Sequence, residues 1–290
     1  MKIQITGTGL YAPGDPISNQ ELKELAGIEF DSSKTEEKLG IYNRHISHLR
    51  GTEETTADFA TAAAEAAIQD AGLTNDQIDL VVVGTDTPEY VSPATAIIVQ
   101  GRLQGGQTDT RSFDVGASCA GFVTAFDAAA RIVATDPAVR NAVVVGVYNM
   151  PAYVRPGDVF GYSIFADGAG AVVISQSDND SSAYEAGEFI TDGTQWNYIG
   201  VYTGGTKQPA TQKRLEEGEY GLQLLQRLPG DRNVKLWPPL AHKTLKKAGQ
   251  TIETLDHIIF TQINRSVIRE VMGILELPEE KTTTVMDKYG

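Results

Sequence analysis

Two stretches of this chain repeat one another, and the repeat limits the fold more than any other feature. "AIQDAGLTNDQIDLVVVGT" (67–85) and "TLKKAGQTIETLDHIIFTQ" (244–262) align at one constant offset. It maps Ala71-Gly72 onto Ala248-Gly249, Asp79 onto Asp256, and Val81-Val82 onto Ile258-Ile259. In both copies a helix stops at glycine, a short loop follows, and an apolar strand begins after aspartate. Chance similarity of two helix-loop-strand units is the alternative, but shared Ala-Gly and Asp at one spacing favour duplication.

Elsewhere, runs rich in β-branched residues alternate with alanine-rich helical stretches. "DLVVVGTD" (79–86) follows a helix ending near Ala71, "TRSFDVGA" (110–117) precedes a helix over 122–133, and "NAVVVGV" (141–147) and "AGAVVIS" (169–175) come later. Apolar strands between helices predict an α/β protein whose sheet is covered on both faces. The domain expectation is one half at 1–175 and a second at 176–290. The second half should run through a helix over 266–275 to "TTTVMDKYG", with Asp287 standing where Asp114 stands. Gly290 then falls just short of the position matching Cys119, so a C-terminal continuation, or something else covering that sheet edge, is expected. "SQSDNDSS" predicts a loop, "EFITDGTQWNYIGVYTGGTKQP" strands and a surface excursion, and Pro238 or Pro239 a helix start.

Composition removes several functions. A formal charge of −14 over 290 residues argues against nucleic acid, which needs a basic footprint. No His/Cys cluster has metal-ligand spacing, so no metal is expected. The start "MKIQITGTGLYAPG" is a short strand without a signal peptide's apolar core, and no later segment is long enough to span a bilayer. A single cysteine excludes an internal disulfide framework and suits a reducing cytoplasm.

Two motif matches need weighing. "GTGLYA" (7–12) fits a dinucleotide fingerprint on paper, but Pro13-Gly14-Asp15-Pro16 follows where the helix would have to begin. "GASCA" (116–120) resembles a nucleophile elbow with Ser118 as a serine hydrolase nucleophile. Against that, Ala120 replaces the last glycine of the turn, and a duplicated architecture is not a hydrolase pattern.

Cys119 falls where a strand turns into a helix. Amides and dipole at a helix N-terminus favour a thiolate, the form that attacks a thioester. Context leaves a second reading open, because a lone cysteine also serves as a small buried apolar residue.

"FDVGASCAGFVTAF" (113–126) resembles the active-cysteine segment of ketoacyl-acyl-carrier-protein synthase III, in the thiolase-like superfamily. "LGIYNRHI" (39–46), "GTDTPEYVSPATA" (84–96), "FADGAGAVVIS" (165–175) and "EEKTTTVMDKYG" (279–290) are similar to other segments of that family, in order. The resemblance implies a duplicated α-β-α-β-α layered fold. It implies an acyltransferase that takes an acyl group from acyl-coenzyme A onto Cys119 and condenses it with, or passes it to, a malonyl carrier-protein or coenzyme A thioester. Fatty acid or polyketide-like biosynthesis is the implied setting, with no tightly bound cofactor and a homodimeric assembly.

The carry-over of the family's site is uneven. Its His-Gln-Ala-Asn aligns with Thr261-Gln262-Ile263-Asn264, so Thr261 stands at the catalytic histidine's position. Gln262, Asn264 and Arg44 are the implied substrate-binding residues. The family's catalytic asparagine follows the Tyr-Gly of "DKYG" and so falls just after Gly290, and an arginine that contacts coenzyme A aligns with Val159. Loss of the imidazole is expected to impair decarboxylation more than acylation of Cys119. His257 and His242 are read as structural or surface residues, not substitutes. A catalytically impaired partner subunit of a ketoacyl synthase heterodimer is the alternative. Carrier proteins are acidic, so docking would rely on local cations: Lys243, Lys246 and Lys247 on one helix, Arg265 and Arg269 on the next. A merely solvated basic face is the other reading of those five.

Overall fold

The computed structural model describes residues 2–179 and 183–290, so part of the loop expected at 175–182 lies outside the described residues. Strands in chain order are β1 (Ile3–Tyr11), β2 (Ile17–Ser18), β3 (Asn43–Arg44), β4 (Leu80–Gly84) and β5 (Arg111–Val115). They continue as β6 (Asn141–Asn149), β7 (Asp167–Gln176), β8 (Ile199–Gly200) and β9 (Gln223–Leu224). The α-helices are α1 (Asn19–Ala26), α2 (Ser32–Lys34), α3 (Thr56–Asp70), α4 (Thr95–Gln104) and α5 (Gly121–Thr135). After them come α6 (Val159–Ile164), α7 (Gln212–Glu216), α8 (Arg232–Lys247), α9 (Arg265–Ile274) and α10 (Met286–Tyr289).

The chain forms two compact units. The first comprises Met1–Asp15, His45–Asn149 and Ala166–Glu185. Its five-stranded sheet has the order β1-β7-β6-β4-β5, with β4 parallel to β5 and β6, and β7 antiparallel to β6 and β1. Every residue of β4 is buried, as its unbroken apolar run requires. Alternation sends Val81 and Val83 to one face, where Val143 and Val145 join them under the α3 and α4 residues Phe59, Ala60, Ala63, Ala67, Val99 and Leu103. Leu80 and Val82 point the other way, with Val144 and Ile174, against Ala125, Ala129, Ala130 and Val133 of α5.

Helix α3 starts at a capping box, in which Thr55 N–H donates to Asp58 Oδ2 (2.7 Å), and it stops before Gly72 at φ +68°. Its alanine face lies almost on the backbone of β1. A Cβ on Gly9 would stand 2.1 Å from Ala63 O, and one on Gly7 2.2 Å from Ala67 O.

The second unit comprises Pro16–Arg44, Met150–Phe165 and Ala186–Gly290. It therefore takes in two segments, 16–44 and 150–165, that the sequence reading assigned to the N-terminal half. Its strand pairs are short, β2 with β3 and β8 with β9. Its core gathers Ile41, Ile268, Met272 and Met286, with Trp237 stacked on Phe260 at 5.2 Å.

Three expectations need correction here. The strand expected over 257–262 reduces to one parallel bridge, Ile258 with Thr282, and Ile259 is 74 % exposed. Strand β4 is paired on both sides, whereas this segment makes a single bridge among the described residues, with the Ile258 N–H donating to Lys281 O (2.8 Å), so the apolar run lacks the neighbours that make a ladder. The excursion over 188–209 contains only the two residues of β8 as strand. Helix α8 begins at Arg232, with Pro238 and Pro239 inside it. The prolines lack the N–H groups that would serve the carbonyls of Val234 and Lys235. The Trp237–Phe260 stack and burial of Pro238 hold the helix through that gap.

Candidate active site

Strand β5 ends at Val115, whose carbonyl still accepts the N–H of Thr85 at 3.0 Å. Gly116 and Ala117 then lead into a tight 3-10 turn, Ser118–Ala120, and α5 opens at Gly121. Helix α5 can start there because Gly84, the last residue of β4, has no side chain. A Cβ on Gly84 would stand 2.7 Å from the Gly121 carbonyl carbon and oxygen. Asp114, just before the turn, caps α4: its carboxylate accepts the N–H groups of Thr95 and Ala96, both at 2.7 Å.

Cys119 occupies the middle of that turn and is exposed. The core-residue reading of the sulfur therefore fails. Ser118 has φ +49°, a left-handed conformation that side chains rarely adopt, and its N–H donates to Asp86 Oδ1 at 2.9 Å. Tyr148, on β6, keeps its proton. Burial pushes the phenol up first, and the charges of Asp86 and Cys119 add to it. The arrangement is a reachable sulfur on a fixed turn, backed by a carboxylate and a neutral phenol. Chemically, it can form a thioester with an electrophilic acyl carbon.

Known proteins identify the scaffold. Residues 113–193, which include this turn, match the family model of 3-oxoacyl-[acyl-carrier-protein (ACP)] synthase III. A beta-ketoacyl-[acyl-carrier-protein] synthase III of Xanthomonas campestris pv. campestris (strain 8004) is 32 % identical, over 99 % of this chain and 84 % of its own length. The chain belongs to the beta-ketoacyl-[acyl-carrier-protein] synthase III family. The crystal structure of the Aquifex aeolicus VF5 3-oxoacyl-[acyl-carrier-protein] synthase III superposes with a TM-score of 0.82 at 27 % identity, covering 99 % of this chain and 85 % of that one. The priming beta-ketosynthase of the R1128 polyketide pathway gives 0.80 at 27 % identity, covering 100 % of this chain and 83 % of that one. The fold is thus thiolase-like, and the protein is an acyl-transferring enzyme of the ketoacyl synthase III type.

The other residues that the resemblance singled out lie in the second unit. Thr261 is half-buried on the segment leading to α9. Gln262 is a backbone clamp. Its amide donates to the carbonyls of Phe260 (3.0 Å) and Thr283 (3.2 Å), and its oxygen accepts the Val285 N–H (2.8 Å). Asn264 caps α9, accepting the Val267 N–H at 3.2 Å. His257 is exposed and its Nε2 bonds Thr283 Oγ1 (3.0 Å). Val159 starts the short helix α6 and is half-exposed.

Arg44 is the clearest departure from the expected set. It is 0 % exposed, and its Nη2 donates to Asn19 Oδ1 at 2.5 Å. Burial lowers its pKa to about 10. A guanidinium sealed this way organises the fold and presents nothing to a ligand, so its substrate-binding assignment is withdrawn.

Of the five cations expected at a docking face, four are engaged with neighbours. Lys243 and Lys247 both pair with Glu188, at 2.8 and 2.9 Å, and hold its carboxyl down to about 2. Arg269 pairs with Glu279 at 3.3 Å. Arg265 donates to Glu36 O (3.0 Å) and lies over the ring of Tyr42. Lys246 is exposed, with no ion pair among the described residues. Sequence reading also missed Asp86 and Tyr148, because an acid one step past a strand and a tyrosine inside one look like ordinary surface and core. No helix among the described residues is long and apolar enough to cross a membrane.

Proposed function

We propose that Cys119 accepts an acyl group from an acyl-coenzyme A. The sulfur attacks the thioester carbonyl carbon, a new C–S bond forms, and coenzyme A leaves as its thiol. The acyl group is then condensed with, or passed to, an acyl-carrier-protein or coenzyme A thioester, in fatty acid or polyketide-like biosynthesis. The observation that carries this reading is the exposed sulfur on the turn before α5. Thr261 bears on the second step. A threonine offers one neutral hydrogen bond where the family places an imidazole, and removing such a donor costs about 3–4 kcal/mol of transition-state stabilisation. Acylation is therefore the preserved half-reaction and decarboxylative condensation the weakened one. That imbalance also suits a partner subunit in a heterodimer, although a retained, reachable sulfur favours an active enzyme.

The test is intact-protein mass spectrometry after incubation with short and long acyl-coenzyme A thioesters. A single acyl adduct is expected on the peptide holding Cys119, and none in Cys119→Ala. A wild-type protein that takes up no acyl group from either class would overturn the reading.

The same proposal includes a homodimer and a cytoplasmic setting, without a resident cofactor. Strand β5 is an edge paired only with β4, and Tyr90, Val91 and Ile97 are exposed in the same unit, Val91 at 88 %. Such an edge with apolar neighbours is suited to a second copy. For carrier-protein docking, Lys246→Glu is the clean variant because Lys246 has no ion pair among the described residues. It is expected to weaken carrier-protein binding several-fold at low salt, with the difference vanishing at high salt. Equal affinity at low salt would remove Lys246 from the interface.

A further inference from the structure

We infer that Asp86 is a positioning residue for the reaction at Cys119: its carboxylate clamps the Ser118 amide and sets the charge beside the sulfur. The inference rests on the reading of Cys119 as the acyl-accepting nucleophile.

The residues on either side of Asp86 are fixed from three directions. Thr85 N–H reaches Val115 O on β5 (3.0 Å), and Thr85 Oγ1 accepts the Thr87 N–H (3.0 Å). Thr87 Oγ1 accepts the Asn149 N–H at the end of β6 (2.9 Å), and Thr87 O accepts the hydroxyl of Thr56 on α3 (2.7 Å). Thr85 and Thr87 are buried, while Asp86 between them is exposed. The carboxylate therefore leaves a rigid backbone and meets the Ser118 N–H at 2.9 Å.

Ser118 immediately precedes Cys119, so its φ of +49° directs where the sulfur points. A non-glycine residue holds that conformation only when its surroundings enforce it. The charge-assisted bond from the amide to Asp86 is such a restraint. The same carboxylate is bonded to the residue that precedes Cys119, and Asp86 and Cys119 both act on the Tyr148 phenol. A like charge there opposes thiolate formation, against the favourable amides at the start of α5. Asp86 thus trades some sulfur ionisation for sulfur placement.

Cys119 is the only cysteine of the chain, so alkylation by iodoacetamide reports on it without ambiguity. Wild type, Asp86→Asn and Asp86→Ala are compared in the pH profile of alkylation and in acyl loading. Asparagine keeps an oxygen for the Ser118 N–H but removes the charge. Its alkylation midpoint is expected to fall by about half a pH unit relative to wild type. Alanine also removes the clamp, and acyl loading is expected to slow about tenfold, with asparagine restoring most of it. Superimposed alkylation profiles for wild type and Asp86→Asn would overturn the charge effect. Equal loading by Asp86→Ala and Asp86→Asn would overturn the clamp. A wild-type protein that alkylates but never acylates would sink the nucleophile reading, while the alkylation comparison still decides whether Asp86 sets the charge.

Discussion

Gly9→Ala is expected to destabilise the first unit by about 3 kcal/mol, near the upper end for overpacking a well-filled site. The added Cβ would stand 2.1 Å from Ala63 O and 2.5 Å from Ala67 N, and both are backbone atoms of α3. Neither can step aside as a flexible side chain would. The helix is held in place by the opposite pressure of Phe59, Ala60 and Ala67 against the valines of the sheet. Relief requires the helix to lift from β1, opening contacts along its length. Gly7→Ala meets Ala67 O at 2.2 Å and should behave alike. Gly101→Ala is the control. It lies in α4 with nothing within 4 Å of the new Cβ, so it should leave stability unchanged or raise it by about 0.5–1 kcal/mol. Urea unfolding of the three variants checks this, and a Gly9→Ala midpoint equal to wild type would refute the close packing of α3 on β1.

The contrast between these glycines bears on what the sequence could reveal. Elements whose identity depends on local pattern were legible: the stop of α3 at Gly72, the buried run of β4, and the small residues around Cys119. Elements defined by partners distant in the chain were not. "DHIIF" carries the same apolar signal as "DLVVV", but one bridge to Thr282 does not make it a strand. Lys243 and Lys247 looked like a docking face because Glu188, which pairs with both, lies far earlier in the chain, and no local pattern ties it to that helix. Arg44 matched a family motif, yet its burial against Asn19 depends on how 16–44 folds back on itself. The position of Cys119 was visible because residue type and local backbone coincide there. Its support from Asp86 was hidden, because the hydrogen bond spans 32 residues.

Asp167, in the "FADGAGA" motif, should make stability fall as pH rises from about 4 to about 7. Its side chain is 3 % exposed, and burial pushes its pKa up to about 7, although the Ser47 N–H donates to Oδ2 at 2.8 Å and opposes the shift. Oδ1 has no hydrogen-bond partner among the described residues, and the Asp167 N–H is engaged with His45 O at 2.7 Å. The folded chain therefore keeps a proton that the unfolded chain releases near 3.8. Between those values the native state binds more protons, so its advantage is complete below about 4, erodes as pH rises, and levels off above 7. The full span corresponds to about 4 kcal/mol at most, at about 1.4 kcal/mol per pH unit. Asp167→Asn removes the titration while leaving an oxygen for the Ser47 N–H. Other titrating groups, among them His48 with its pKa lowered by burial, are common to both proteins, so comparing variant with wild type cancels them. Relative to wild type, the variant should gain about 2–3 kcal/mol between pH 4.5 and 7.5 in urea unfolding. Parallel stability profiles across that range would mean that Asp167 is ionised in the folded protein, and that the unpartnered Oδ1 is reached by water after all.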